Sequence, residues 1–490
     1  MSQIGAIQHN PGSLSSPATQ PGILRKIRSK LKPDIDKLRC HLRQLRVSQA
    51  NGEPHKPAVS NEPRDGGELS PIHQLPEEII EEIMLYATNG SVDVCLPASD
   101  AWRMEQVCHR WEYVARNLTA LWRTIDISLG ALALYKTGVP LHVVKKLLER
   151  CVLRAGHRPL RLKLMDVCAP ETFMAVLRLV SVYSHQWETL YVSLSMLKEP
   201  LVLERGLGQL TALEITGKYR GSGTPLEMFA NAEAIHSLHL SFSPKPYITL
   251  KVPWSNIRQL SISRCDFSPG EFAQLVRHIP NIVSFTSKWS NGIVESGKPS
   301  IPQPIVRPRL RRLEIELYQH ELGPMLHYFT LPALTHLTVS LAMARKSSLH
   351  QMEDPVVQLI RRSYCSLTML SVNAVDSSSI YDILEVSPNV TELELDLVPD
   401  AHLILEYLVQ PDILAPDLCV LSLSLKEDQG VRCIGPLITL IQARSLTSGV
   451  LKRVMITMRE SKGVDPFKKL LYPLREQTGV TICITDYLRI

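Results

Sequence analysis

The motifs that build the commonest active sites are missing from this sequence. It has no Gly-x-Ser-x-Gly elbow, no Walker loop, no His-Glu-x-x-His pair and no protein-kinase signature set, so nothing supports the serine hydrolases, P-loop enzymes, zincins or kinases that use them. Glycine is scarce, at 24 residues against 34 prolines. The closest glycine pairs, Gly206 with Gly208 and Gly221 with Gly223, lack the Gly-x-Gly-x-x-Gly frame and read as turns. The ten cysteines (Cys40, Cys95, Cys108, Cys151, Cys168, Cys265, Cys365, Cys419, Cys433, Cys483) are scattered without a Cys-x-x-Cys pair. Neither a zinc site nor a disulfide framework follows from such spacing, and reduced thiols of an intracellular, cytoplasmic or nuclear protein are expected. No apolar run approaches the roughly 18 residues of a membrane span, and no secretory leader opens the sequence.

What is present is ordinary in bulk and unusual in detail. The 490 residues are 44% hydrophobic and 21% charged, with a net charge of +6 and a mean hydropathy of +0.00. Leucine far outnumbers the 8 phenylalanines, a bias that points to a leucine-periodic architecture. Residues 1–22, rich in Ser, Pro and Gly, have too little apolar surface to offset the entropy of ordering and are expected to be disordered. From 23 to 48, Ile27, Leu31, Ile35, Leu38, Leu42 and Leu45 recur at helical steps among nine basic side chains and the two acids Asp34 and Asp36. That local surplus of seven leaves the rest of the chain near neutral. This basic amphipathic helix fits docking or self-association, plain solvation, or an anionic polymer or membrane; having no aromatic side chain to stack on bases or anchor in headgroups disfavours the last. A polar, Pro- and Gly-containing linker covers 49–69.

Residues 70–123 carry the most information. Ser70-Pro71 precede Ile72, Leu75, Ile79 and Ile83, spaced as one helix face, with Pro76 suited to a helix first turn. Glu77, Glu78, Glu81 and Glu82 lie opposite and read as a solvated face, not as an acid–base pair. Met104, Val107, Cys108, Trp111 and Ala115 are expected on a second continuous helix, and Leu121-Trp122 then lead into a strand. A helical module of this size shares its apolar surface with a partner or a neighbouring domain. The set Leu75-Pro76, Val107-Cys108-His109-Arg110-Trp111 and Leu121-Trp122 resembles an F-box, and most resembles the fungal F-box proteins in which a short helix precedes an SPI-x-x-LP start. It departs from the family pattern in a longer connection from Asn89 to Asp100. The resemblance implies docking on a Skp-type adaptor, and through it a cullin, by Leu75, Pro76, Ile79, Ile83, Val107, Cys108 and Trp111.

From 124 to 490 a hexad, apolar-x-x-apolar-x-apolar, recurs. It appears as Leu210, Leu213, Ile215; Ile235, Leu238, Leu240; Ile257, Leu260, Ile262; Leu310, Leu313, Ile315; Leu334, Leu337, Val339; Leu367, Leu370, Val372; Val390, Leu393, Leu395; Leu418, Leu421, Leu423; and Leu451, Val454, Ile456. Poorer units sit at Leu160, Leu162, Leu164; at Trp187, Leu190, Val192; and at Ile282 with Phe285. The intervals bracket the leucine-rich-repeat period, and stretches such as SPGEFAQLVRHIPN read as short helices between hexads. The expected fold is therefore α/β: an N-terminal helical F-box, then an irregular leucine-rich-repeat-like solenoid with a parallel concave sheet. It is irregular because the asparagine that usually follows the hexad is mostly absent.

No catalytic residue, cofactor site or metal site emerges. Cys108 and His109 are helix neighbours in this reading and point about 100° apart, so they make no nucleophile–base pair. Side chains alternating with the buried leucines face outward: Glu214, His239, Ser241, Arg312, Glu314, Glu316, Glu392, Glu394 and Asp396. They are either kept polar for solubility or, through Glu214, His239, Glu314, Glu316, Glu394 and Asp396, form a target site for a basic peptide. With the F-box resemblance, this implies a non-enzymatic substrate-recognition subunit of an SCF-type ubiquitin ligase whose repeats bind an unknown protein target. The alternative is an F-box/repeat interaction scaffold outside any ligase. Nucleic acid is disfavoured as a partner.

Overall fold

The computed structural model describes residues 75–88, 90–95, 100–128, 140–165, 170–193, 197, 203, 205–217, 227–241, 250–263, 269–288, 304–317, 326–341, 355–410, 414–446, 450–459 and 464–486. The segments 1–22, 23–48 and 49–69 lie outside the described residues. Among those described, the chain divides into two compact units, 75–92 with 100–121, and 93–95 with 122–486.

The first unit is helical. Helix α1 (Glu77–Ala87) starts at Pro76, whose extended ψ of 151° turns the chain into the helix while its carbonyl accepts the amides of Ile79 and Ile80, both at 3.2 Å. It ends where Thr88 Oγ1 donates to Met84 O (2.9 Å) and Gly90, at φ +67°, donates its amide to Leu85 O (3.1 Å). The face that α1 buries is Ile80, Ile83, Met84 and Ala87. The expected stripe through Ile79 is thus one position out of phase, because the doublets Ile79-Ile80 and Ile83-Met84 satisfy either phase.

The second helix is not continuous. Helix α2 (Asp100–Met104) stops in a turn in which Gln106 and Val107 donate to Arg103 O and Met104 O. Cys108 is extended (φ −165°, ψ 169°) as the N-cap of α3 (His109–Asn117), and α4 (Thr119–Trp122) follows. An extended residue cannot propagate i→i−4 bonding, so Val107 and Cys108 leave the helical stripe while Met104, Trp111 and Ala115 stay buried.

The second unit is a parallel sheet with helices, a solenoid-like repeat. Among the described residues fifteen strands pair in chain order: β1 (Val92–Asp93), β2 (Thr124–Ser128), β3 (Leu160–Met165), β4 (Trp187–Ser193), β5 (Ala212–Thr216), β6 (Ser237–Ser241), β7 (Gln259–Ser263), β8 (Ser284–Lys288), β10 (Arg312–Leu317), β12 (His336–Leu341), β13 (Met369–Asn373), β14 (Glu392–Asp396), β15 (Val420–Leu425), β16 (Arg453–Met458) and β17 (Thr481–Asp486), while β9 (Ile305–Val306) and β11 (Phe329–Thr330) form a separate pair. The hexads dictate the register. Leu213, Leu238, Leu260, Phe285, Leu313, Leu337, Leu370, Leu393, Leu421, Val454 and Ile482 stand side by side across successive strands. All are at most 4% exposed. With period 2 in a strand, the residues between them face the other way.

Each strand is entered through hydrogen bonds that tie one repeat to the last. Thr211, Thr335, Thr368 and Thr391 donate their Oγ1 to the carbonyls of Glu188, Arg311, Thr335 and Thr368 at 3.1–3.2 Å. Asparagine does serve, but before the hexad: Asn256 donates to Glu233 O (2.8 Å) and Asn281 to Ser255 O (2.7 Å). Arg444, fully buried in the last turn of α11 (Glu427–Leu446), donates to the carbonyls of Leu408, Leu414, Ala415 and Pro416. Buried carbonyls that no ladder reaches are satisfied in this way.

Candidate functional site

Two surfaces gather the residues singled out in the sequence. On the helical unit, the chain entering α1 is held against α3 by Arg110, whose Nη2 donates to Leu75 O at 2.5 Å. Around that tie Pro76 is exposed, Leu75, Ile79 and Cys108 are half-buried, and Val107 is 49% exposed. Ile83 and Trp111 lie elsewhere in the unit's architecture, 8% and 1% exposed, inside its own core. The Trp111 Nε1 has no hydrogen-bond partner there. Tyr113 on α3 is 60% exposed; sequence reasoning passed over it because it falls off the buried stripe. The break at Cys108 lifts Val107 out of the core and makes it a surface side chain. His109 is exposed and lies 3.7 Å from Glu112, so Cys108 and His109 do not act as a pair.

The second surface is the open face of the sheet. Strands β2 (Thr124–Ser128) to β6 (Ser237–Ser241) carry a row of compensated charges. Lys163 is 3.6 Å from Asp126 and lies 5.8 Å from the Tyr191 ring centroid, while Glu214 lies 3.8 Å from His239. Burial raises the pKa of Asp126 and of Glu214 above the usual carboxylate range, against the pull of Lys163 on both and of His239 on Glu214. Glu188 goes the other way: burial opposes ionisation, but Arg161 (2.8 Å) and Arg123 (2.5 Å) together outweigh it and lower its pKa.

His239 Nε2 also lies 3.4 Å from Ser263 Oγ. Glu214 and Ser263 therefore approach the same ring nitrogen, whereas a relay needs the acid on one nitrogen and the hydroxyl on the other. The trio is a polar contact of the sheet face.

Further along, Glu314 on β10 (Arg312–Leu317) meets Lys288 at 3.7 Å and Thr286 Oγ1 at 3.3 Å, and Glu316 stands in register with Lys288. Glu394 and Asp396 are on β14 (Glu392–Asp396). Strands β12 (His336–Leu341) and β13 (Met369–Asn373) separate the two acidic pairs, so they stand about 14 Å apart across the sheet. Asp396 is bound by Arg459 Nη2 at 3.0 and 3.1 Å.

No group of His, Cys, Asp or Glu among the described residues is arranged to hold a metal ion, and no helix among them is long and apolar enough to cross a membrane.

Comparison with known families matches an F-box-like model to residues 72–128. The chain therefore carries an F-box-like domain, the kind of module that binds Skp-type adaptors and is generally non-catalytic. No curated protein matches the chain. Among solved structures, a crystal structure of a Bacteroides fragilis protein is similar at 13% identity, covering 61% of this chain and 73% of that one with a TM-score of 0.31.

Proposed function

We propose that this chain is the substrate-recognition subunit of an SCF-type ubiquitin ligase: the F-box docks on a Skp-type adaptor, which connects it to a cullin, and the open sheet face holds a protein target. The observation carrying the reading is the F-box-like match at 72–128, in which Leu75, Pro76, Ile79, Val107 and Cys108 remain at least partly accessible around one side-chain tie. Ile83 and Trp111 support that surface from beneath. The chain performs no chemistry of its own; holding a target lysine near a charged conjugating enzyme raises its effective concentration. As an intracellular subunit it works in the cytoplasm or nucleus.

The deciding experiment is affinity purification of the wild type and of a Leu75→Ala, Pro76→Ala double variant. Wild type should bring down both Skp-type adaptor and cullin. The variant should lose both, because buried interface anchors contribute about 2 kcal/mol or more each. Adaptor without cullin identifies a scaffold outside the ligase, and adaptor capture unchanged in the variant removes the docking assignment.

A further inference from the structure

Most acidic side chains on the open sheet face are compensated; Glu316, in register with a Lys288 that pairs with Glu314, has no ion pair among the described residues. Asp126 has Lys163, Glu188 has Arg123 and Arg161, Glu214 has His239, and Glu314 has Lys288. Strand β14 is different. Glu392, Glu394 and Asp396 project from it in line, with Leu393 and Leu395 buried behind them. Glu392 and Glu394 are exposed, and their carboxylates have no partner among the described residues. The neighbours in register are uncharged: Met369, Ser371 and Asn373 on β13, and Val420, Ser422 and Ser424 on β15 (Val420–Leu425). Ser371, beside Glu394, is 8% exposed, and its hydroxyl makes no hydrogen bond among the described residues.

We infer that β14 is a cradle for an extended segment of the target in which Lys or Arg recurs at every second position. This rests on the target-binding reading of the sheet face and names the chemistry of the target. Alternate residues of a strand are about 6.6–6.8 Å apart, and an extended peptide has the same repeat. A segment lying along β14 therefore matches one cation to each of Glu392, Glu394 and Asp396 without stretching either chain. Its backbone rests over the hydroxyl and amide groups of Ser371, Asn373, Ser422 and Ser424, and the Ser371 hydroxyl, without a hydrogen bond among the described residues, gains a partner from it.

Arrangement and charge separate this occupant from others. Among the described residues no group of His, Cys, Asp or Glu, this row included, is arranged to hold a metal ion. Nucleic acid and anionic lipid have the wrong sign.

Arg459 makes the inference sharper. Its guanidinium already sits on Asp396, with Nε 3.5 Å from Ser424 Oγ, so it fills one place of the row from within the chain. Removing it frees a carboxylate for the incoming segment.

The test uses the full chain, purified with its adaptor, and two fluorescent synthetic peptides of equal charge: Lys-Ser-Lys-Ser-Lys-Ser and Lys-Lys-Lys-Ser-Ser-Ser. At about 150 mM salt, where non-specific attraction is screened, the alternating peptide should bind more tightly. The Glu392→Gln, Glu394→Gln variant should weaken it about tenfold or more, while Arg459→Ala should tighten it. Ser371→Ala should weaken it less than the Gln pair does, with an unchanged melting curve.

Equal binding of the two peptides, or unaltered binding by the Gln variant, overturns the cradle and leaves the acids as solvated bystanders. Adaptor and cullin capture is read on the same samples. Its loss with peptide discrimination intact sinks the ligase reading and not the cradle, and the reverse result sinks the cradle alone.

Discussion

The helical unit and the repeat sheet store their information in different forms. In the sheet, one hexad after another sets a phase of period 2, and a shift of one residue would turn every leucine outward, so sequence and register are bound together. In the helical unit the apolar residues come in doublets along a 3.6-residue period, and neither phase is excluded by hydrophobicity alone. The result is a sheet whose inward residues are named by their pattern and a helical unit whose inward residues are named by packing. The sheet face is thereby left free to vary, and the helical surface is defined by what the core leaves over.

The hardest blow to this contrast is a substitution that respects composition but violates the sheet's phase. Leu393→Asp places a carboxylate where the side chain is 1% exposed between Leu370 and Leu421. It should cost about 4 kcal/mol or more, through both the lost packing and the buried charge. Glu394→Ala, one position on and exposed, should change stability by no more than about 0.5 kcal/mol. Thermal melts that shift equally for both contradict the register.

How far the sequence could be read follows from the same contrast. The hexad names the inward pair of every strand of the long sheet from β5 (Ala212–Thr216) to β16 (Arg453–Met458) except β8 (Ser284–Lys288), where Phe285 is followed by the buried Ser287 in place of an aliphatic residue. Strand β2 fits the hexad too, through Trp122, Ile125 and Ile127, all fully buried, but Trp122 doubles as the close of the F-box motif and hides it. Strand β17 (Thr481–Asp486) was invisible because the first hexad position is Gly479, at φ +71°. Among the site residues, the outward facing of Glu394 and the contact of Glu214 with His239 follow from the alternation. The ion pair of Asp396 with Arg459 does not, since Arg459 is 63 residues away. Nor could the helix break at Cys108 be seen: Val-Cys-His-Arg has no glycine or proline to announce it.

In the helical unit the corresponding test separates core from surface within one motif. Trp111→Ala should destabilise by about 3–5 kcal/mol, the range for emptying a buried aromatic site. Val107→Ala, half-exposed beyond the helix break, should lose less than about 1 kcal/mol of stability. Chemical denaturation read by far-ultraviolet dichroism checks both. A Val107 variant as unstable as the Trp111 variant would mean that the two still share one buried stripe.

Arg444 tests a position that pattern alone misassigns, since an arginine near a helix end reads as solvated. Arg444→Met keeps much of the apolar stem and leaves the carbonyls of Leu408 and Leu414 without its donors. The expected loss is about 2 kcal/mol. The half-buried Arg307, which donates to Val276 O, should lose less on the same replacement, and a melting series of the two variants compares them directly.

The smallest effect concerns helix starts, where the two regions differ in kind. Pro76 begins α1 with a preset φ and no side-chain cap. Asp376 begins α9 (Ser377–Glu385) by accepting the Ser379 amide at 3.0 Å and the hydroxyls of Ser378 and Ser379 at 2.6 and 3.0 Å. Burial pushes the Asp376 carboxyl upward, but those donors more than offset it and lower its pKa below the ordinary value. A carboxylate with a depressed folded pKa binds fewer protons when folded than when unfolded. Its contribution is therefore complete above the unfolded pKa, near 3.9, and disappears as pH falls through the folded value. Asp376→Ala should accordingly cost about 1 kcal/mol at neutral pH and progressively less in acid. Asp376→Asn, which keeps an acceptor oxygen, should recover much of the loss and show no pH dependence from this site. Melting temperatures of the three proteins between pH 7 and pH 3 decide the matter: an Ala-minus-wild-type difference that stays constant in acid would mean that the Asp376 charge contributes nothing to the start of α9.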